Sequence, residues 1–347
     1  MTSNKLSFAS DYTRGAHPAI IDRLVETNLM KTGGYGQDPF SESAKQKIRT
    51  ACASPDAEIH FLVGGTQTNA VVIGSFLTPF QGVIAADTGH INVHEAGAIE
   101  ATGHKVLALP GRNGKLIPED VRRYLEEFSR DGNREHMVMP GMIYLSQPTE
   151  LGSLYTLDEL REFRAICNAF NVLLYVDGAR LAYALACPQN DVTLPDLASL
   201  CDIFYIGGTK CGALFGEAVV IPQGGRLPAF FTIIKQKGAL LAKGRLLGLQ
   251  FETLFTDDLY LRIGAPAIRA ADDIRRALVE KGYDLVFDSP TNQVFCLIDN
   301  DKLETLGQAV DYSFWECYDE TRSVIRLATD WSTTDGEVGE LIARLPG

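Results

Sequence analysis

The chain has 347 residues, with 44 Asp and Glu against 32 Lys and Arg and a formal net charge of -12. That length fits a large domain with a smaller one appended, and the acidic balance argues against a nucleic-acid backbone or an anionic membrane as partner. The seven cysteines, at 52, 167, 187, 201, 211, 296 and 317, are scattered, odd in number and free of any CxxC pair, which reads as reduced thiols in a cytoplasmic protein. The first fifteen residues lack the apolar run of a signal peptide, and no stretch of 18 apolar residues suggests a membrane span.

From residue 59 to 222, short runs rich in Val and Ile alternate with amphipathic stretches. The runs at 59–63, 82–87, 104–109, 141–146, 172–177, 202–206 and 217–222 are bounded by Gly, Pro or Asp, as buried strands are. Helices are expected between them. One follows Gly64-Gly65; a second, over 117–131, carries Pro118 and acids in its first turn. A third opens on Thr156 with Glu159 three residues later, the spacing of a capping box. Such alternation predicts an α/β fold with a mostly parallel sheet covered on both faces. Residues 230–285 read as mostly helical, and 294–299 and 323–329 as isolated strands of a small α+β domain. The expected division is 15–245 and 246–347, on a long helix near 235–260, with residues 1–14 packing near the active site.

In a sheet of this kind ligands bind beyond the C-terminal strand ends. Gly64-Gly65-Thr66-Gln67-Thr68 after the first run offers glycines, hydroxyls and a helix N-terminus, a seat for phosphate or simply a turn before a helix. Asp177 ends an apolar strand, where its charge needs a cation. A protonated pyridine nitrogen of pyridoxal 5′-phosphate would serve; pairing with Arg180 or capping the next helix is the plainer alternative. Lys210, in Gly207-Gly208-Thr209-Lys210, suits a Schiff-base amine in a dry site, or a surface lysine. His90 could stack on a flat ring; with His94 it could instead share a metal, though no third ligand suggests itself. Arg326, inside an apolar strand, suits a substrate carboxylate or an internal pair with Glu320 or Asp330.

In order and spacing, Ser-Asp-x-Thr-Arg from residue 10, Gly-Gly-Thr-Gln, Gly-His-x-x-x-x-Glu-Ala-Gly, Val-Asp-Gly-Ala-Arg, Gly-Gly-Thr-Lys and Val-Ile-Arg-Leu-Ala-Thr resemble the threonine aldolase and β-eliminating lyase group of pyridoxal-phosphate enzymes. Gln-Pro-Thr-Glu-Leu-Gly-Ser-Leu-Tyr at 147–155 is similar to the low-specificity L-threonine aldolase branch that includes phenylserine aldolases. The resemblance implies the aspartate-aminotransferase-like fold type I. It implies cleavage of L-threonine, L-allo-threonine or a related β-hydroxy-α-amino acid to glycine and an aldehyde, with β-elimination, transamination, racemisation or mere binding of the cofactor as alternatives.

The same resemblance implies Lys210 as the Schiff-base lysine, Asp177 on the pyridine nitrogen, His90 over the ring, and Gly65 and Thr66 on the phosphate. Ser10, Arg180 and Arg326 would hold the substrate carboxylate. A homodimer or homotetramer with its active site at the subunit interface is expected, Lys243 and Tyr35 reaching in from the neighbour. One departure stands out: Glu150 occupies the place of a histidine that faces the substrate hydroxyl in many threonine aldolases. The hydroxyl proton is therefore left to His90, Glu150 or a water.

Overall fold

The computed structural model describes residues 5–346. Its strands, in chain order, are β1 (Leu6–Ser7), β2 (Glu58–Leu62), β3 (Gln81–Ala86), β4 (Val106–Leu109), β5 (Met139–Ser146), β6 (Leu173–Asp177), β7 (Ile203–Gly207), β8 (Glu217–Ile221), β9 (Gln293–Asp299), β10 (Val310–Asp311), β11 (Ser313–Cys317) and β12 (Arg322–Ala328). A seven-stranded sheet has the order β2-β8-β7-β6-β5-β3-β4. Only β8 runs antiparallel to its neighbours.

Alternate residues of each strand enter different cores. Ile143, Leu145, Leu174, Val176, Phe204 and Ile206 face one layer of helices, and Met142, Tyr144, Tyr175, Ile203 and Tyr205 the other. Burial on both faces explains why these strands read as continuous apolar runs. The helix Leu157–Phe170 starts at the expected capping box: Thr156 Oγ1 accepts from Glu159 N–H and the Glu159 carboxylate accepts from Thr156 N–H.

β5 and β6 lie in register so that Ser146 aligns with Asp177, and Gln147 N–H donates to Asp177 O at 2.8 Å. One strand further, Gly207 N–H donates to Gly178 O at 3.0 Å. The chain segments leaving β5, β6 and β7 therefore emerge side by side at one rim.

Two expectations are corrected. No long helix fills 235–260; Phe230–Gln236 and Arg245–Leu254 are separate helices. Between them Gly238 turns through φ +69°, and a Cβ on Gly244 would stand 2.4 Å from Gly36 N, so the backbone crosses another strand of chain there. The Arg245–Leu254 helix buries Leu247, Phe251 and Leu254 in the large-sheet core. Ala267 and Ile268 still belong to that core, whereas Ala270, Ala271 and Ile274 join the small one, so packing changes over inside the helix Ala265–Glu280 rather than at 245/246. The second correction is β11, absent from the sequence reading. It is an edge strand, paired only with β12, and its residues are exposed or half-buried, so no apolar run marks it.

The small sheet β11-β12-β9 is antiparallel. The N-terminal segment is part of its framework: β1 pairs with β10, and Phe8 N–H donates to Asp311 O while Phe8 O accepts from Ala328 N–H, each at 2.8 Å.

Where the helices Pro39–Ala51 and Arg245–Leu254 cross, a Cβ on Gly248 would lie 2.1 Å from Ser41 Oγ and 2.5 Å from Ser41 Cα. Backbone cannot yield there, so Gly248→Ala is expected to destabilise the fold by about 1–3 kcal/mol, read as a lower denaturation midpoint at unchanged slope.

Candidate active site

Lys210 leaves β7 on a backbone that only small residues permit: a Cβ on Gly207 would sit 2.4 Å from Ala179 O. Its side chain lines a cavity of about 220 Å³ with Tyr12, Thr66, His90, Glu150, Asp177 and Glu217. Burial, and after it the Arg180 guanidinium, pulls the Lys210 amine below its ordinary value. Burial pushes Glu217 up to about 8. Its carboxylate accepts from Thr209 Oγ1 at 2.8 Å and Gly208 N–H at 3.1 Å, fixing the two residues that precede the lysine.

Asp177 is buried and takes only neutral donors: Tyr144 OH at 2.6 Å, Asn69 Nδ2 at 3.1 Å and Ala179 N–H at 2.9 Å. The last of these is a local turn bond; the next helix, Leu181–Ala186, has no side-chain cap, so Asp177 does not cap it. The other alternative, Arg180, is engaged elsewhere. Its Nε and Nη2 donate to the Asp11 carboxylate at 2.6 and 3.1 Å, and Asn292 Nδ2 donates to the same group at 2.9 Å. Among the described residues Asp177 has no ion-pair partner, and its position on the cavity wall suits the protonated ring nitrogen of pyridoxal phosphate.

The phosphate seat also fits. The helix Gly65–Phe76 begins without a side-chain cap, leaving its first N–H groups open toward an anion. Gly65 and Thr66 line the Lys210 cavity, and a Cβ on Gly65 would press to 3.2 Å from Tyr205 OH.

Arg326 and Ser10 supply a different kind of evidence. Arg326 donates to Gln293 Oε1 at 3.0 Å, Ala9 O at 3.0 Å and Ser313 Oγ at 3.1 Å, and forms no ion pair among the described residues; neither Glu320 nor Asp330 answers its charge. Its Nε and Ser10 Oγ are buried without partners. Burial, and then the neighbouring Arg180, lowers Arg326 to about 10. A carboxylate entering the adjoining cavity, which Arg326 lines with Tyr12, His90, Arg180 and Lys210, would meet a guanidinium that no acid among the described residues neutralises.

His90 and Glu150 face both cavities. His90 Nδ1 is 2.8 Å from Glu95 Oε1, and His90 N–H donates to Glu150 Oε1 at 3.0 Å. Ser146 Oγ donates to the same Glu150 oxygen at 2.7 Å. Burial raises Glu150 above the ordinary carboxylate range.

Two expected residues stand apart from the cavity within one chain. Tyr35 is exposed, with Lys235 Nζ 4.2 Å from its ring centroid, and Lys243 lines a separate cleft with Lys31, Thr32 and Arg245. The sequence alone did not mark Asp11, Asn69, Tyr144 or Glu217 as neighbours of the site. Tyr144 passes for core and Asn69 for an ordinary helix residue. An acid opening the apolar run at 217 was the one usable signal.

Residues 7–281 match the beta-eliminating lyase family. The chain belongs to that family. The "Low specificity L-threonine aldolase" of a Pseudomonas species is 30% identical over 350 residues, covering 99% of this chain and 98% of the relative. A solved structure of Leishmania major threonine aldolase superposes with a TM-score of 0.94 at 42% identity, covering 97% of each chain. An aspartate aminotransferase of Thermus thermophilus, at 14% identity and a TM-score of 0.73, shares the fold. This beta-eliminating lyase family member is thus a lyase of the fold expected above, and family and fold together imply pyridoxal phosphate. No helix among the described residues is long and apolar enough to cross a membrane.

The Arg180 ion pair makes a testable demand. Asp11 is held far below the usual carboxylate range: its burial alone would raise it, and the Arg180 charge and hydrogen bonds overcome that. A depressed value means stability present above the unfolded-state value near 4 and lost as pH falls below it. Asp11→Ala, which strands the buried guanidinium, is expected to cost about 3–5 kcal/mol, and the difference from the parent protein should shrink in denaturation curves recorded toward pH 3.

Proposed function

We propose that this lyase cleaves L-threonine, L-allo-threonine or a related β-hydroxy-α-amino acid to glycine and an aldehyde, using pyridoxal phosphate held on Lys210. The observation that carries the reading is the meeting of two adjoining cavities at Lys210: the buried amine lines both, a carboxylate with neutral partners lines one, and an arginine with no counter-ion among the described residues lines the other. The whole-length similarity to threonine aldolases supports it.

Lys210 would bind the cofactor aldehyde, Asp177 its ring nitrogen, Gly65 and Thr66 its phosphate, and His90 would lie over its ring. When bound, the cofactor draws off the electron pair released as the Cα–Cβ bond breaks. The protein's part is placement and proton handling. Arg326, which has only neutral partners among the described residues, would hold the substrate carboxylate, with Ser10 beside it. Arg180, two of whose nitrogens Asp11 already occupies, adds charge and its remaining edge. A fixed carboxylate sets which bond at Cα faces the ring. His90 and Glu150 line both cavities and are the protein groups placed to take the β-hydroxyl proton, directly or through a water.

Tyr35 and Lys243 we assign to the cavity of a second copy, in a homodimer or a pair of dimers. Their distance from the Lys210 cavity supports this, as does the exposed apolar stripe of Ile21, Val25 and Leu29 on nearby chain. A cytoplasmic setting agrees with seven free cysteines, six of them buried.

Purified protein with pyridoxal phosphate should release glycine and aldehyde in equal amounts from L-threonine, L-allo-threonine or L-β-phenylserine, and Lys210→Ala should not. Pyruvate, a keto acid or a racemised amino acid in place of glycine would replace the reaction while keeping the cofactor. Arg326→Lys, which loses the planar fork, should raise KM roughly tenfold or more, from the ~1.5–3 kcal/mol of a charged hydrogen bond.

A further inference from the structure

Behind the cavity wall runs a hydrogen-bonded chain that the reaction as described does not use. Asn69 lies on the helix Gly65–Phe76 and is fully buried. Its Nδ2 donates to Glu95 Oε1 at 2.7 Å and to Asp177 Oδ2 at 3.1 Å, and its Oδ1 accepts from Tyr175 OH at 2.7 Å. Chemistry decides which way this amide points. Turned over, its oxygen would face two carboxylates, while the Tyr175 hydroxyl would lose an acceptor; the amide nitrogen therefore sits between the acids. Glu95 Oε1 thus receives Asn69 on one side and meets His90 Nδ1 at 2.8 Å on the other. Its side chain is wholly buried, and Oε2 has no partner.

Glu95 Oε1 already accepts from the Asn69 amide, which places it as an acceptor toward His90 Nδ1 as well. We propose that Glu95, held in place by Asn69, is the positioning residue of His90: it keeps the ring proton on Nδ1 and so presents Nε2 to the substrate's β-hydroxyl as the proton acceptor. The inference rests on the aldol-cleavage reading for the identity of the substrate group, but the tautomer itself does not.

The geometry supports the division of labour. His90 Nε2 makes no hydrogen bond among the described residues, and the ring lines both cavities. Glu150, the competing base, already accepts from Ser146 Oγ and His90 N–H on one oxygen, which ties it to the His90 backbone. In the step assigned here the substrate O–H bond breaks, its proton forms a bond to Nε2, and the electron pair left on oxygen closes the aldehyde as Cα–Cβ parts. The ring gains one positive charge, which the adjacent Glu95 carboxylate stabilises. The same Asn69 amide touches Asp177, so the group facing the cofactor nitrogen and the group aiming the base are braced by one side chain.

The test uses the holoenzyme with ¹⁵N-labelled histidine, His90 being assigned by loss of its signals in His90→Asn. The parent protein should show a protonated Nδ1 and an unprotonated Nε2 at neutral pH. Glu95→Ala should populate both tautomers and lower kcat by ~10²-fold or more, within the range of general-base assistance, with KM changed no more than a few-fold. Glu95→Gln, whose amide oxygen still accepts from Nδ1 but carries no charge, should restore the tautomer and recover only part of kcat. Parent enzyme with the proton on Nε2, or a Glu95→Ala variant with unaltered tautomer and kcat, overturns the proposal, and the first of these stands even if the alanine variant does not fold. A correct tautomer in a protein that cleaves no β-hydroxy amino acid leaves Glu95 as the His90 anchor and sinks the aldolase reading instead.

Discussion

A carboxylate at the end of a strand buried on both faces costs free energy unless something answers its charge. Asp177 meets that condition at the rim of the large sheet, and the surroundings are organised around it. Tyr144, two residue pairs away on the neighbouring strand, and Asn69, from the helix behind, donate without neutralising it. The nearest arginine on its own strand turn is drawn off by Asp11. What remains is a negative group, dry and aimed at a cavity that also holds a lysine amine weakened by the same burial. Packing and hydrogen bonding are in this sense one arrangement: the sheet brings the strand ends together, and the neutral donors behind them hold the carboxylate in place.

Much of this was legible in the residues. The strands that bury both faces announce themselves as Val- and Ile-rich runs because no solvent face interrupts them, and each such run at 59–63 through 217–222 became a strand. The site motifs sit just after those runs, so strand-end logic alone located Lys210, Asp177, His90, Gly65 and Thr66 on one cavity. Thr156 with Glu159 marked a helix start by its hydrogen-bonding chemistry, and the capping box is present.

What escaped reading did so for physical reasons. β11 is an edge strand with an exposed pattern, so it lacks the signal of burial. The changeover between cores falls within a regular amphipathic helix, where one face passes from one layer to another without any break in periodicity. Asn69 and Glu95 are ordinary residues locally; their importance lies in meeting across 26 positions of sequence. Arg180 has a partner that no local pattern announces: two of its nitrogens donate to Asp11, a residue 169 positions away.

The N-terminal segment has a mechanical meaning. Leu6–Phe8 is stitched into the small sheet, Ala9 O receives Arg326, and Asp11 grips Arg180 on the large one. The two arginines belong to different layers of the molecule, yet both are tethered to the same few links of backbone. Three consecutive residues, Ala9 to Asp11, thus hold both guanidiniums to one short span of backbone, and the reach of that span bounds how far apart the two can stand.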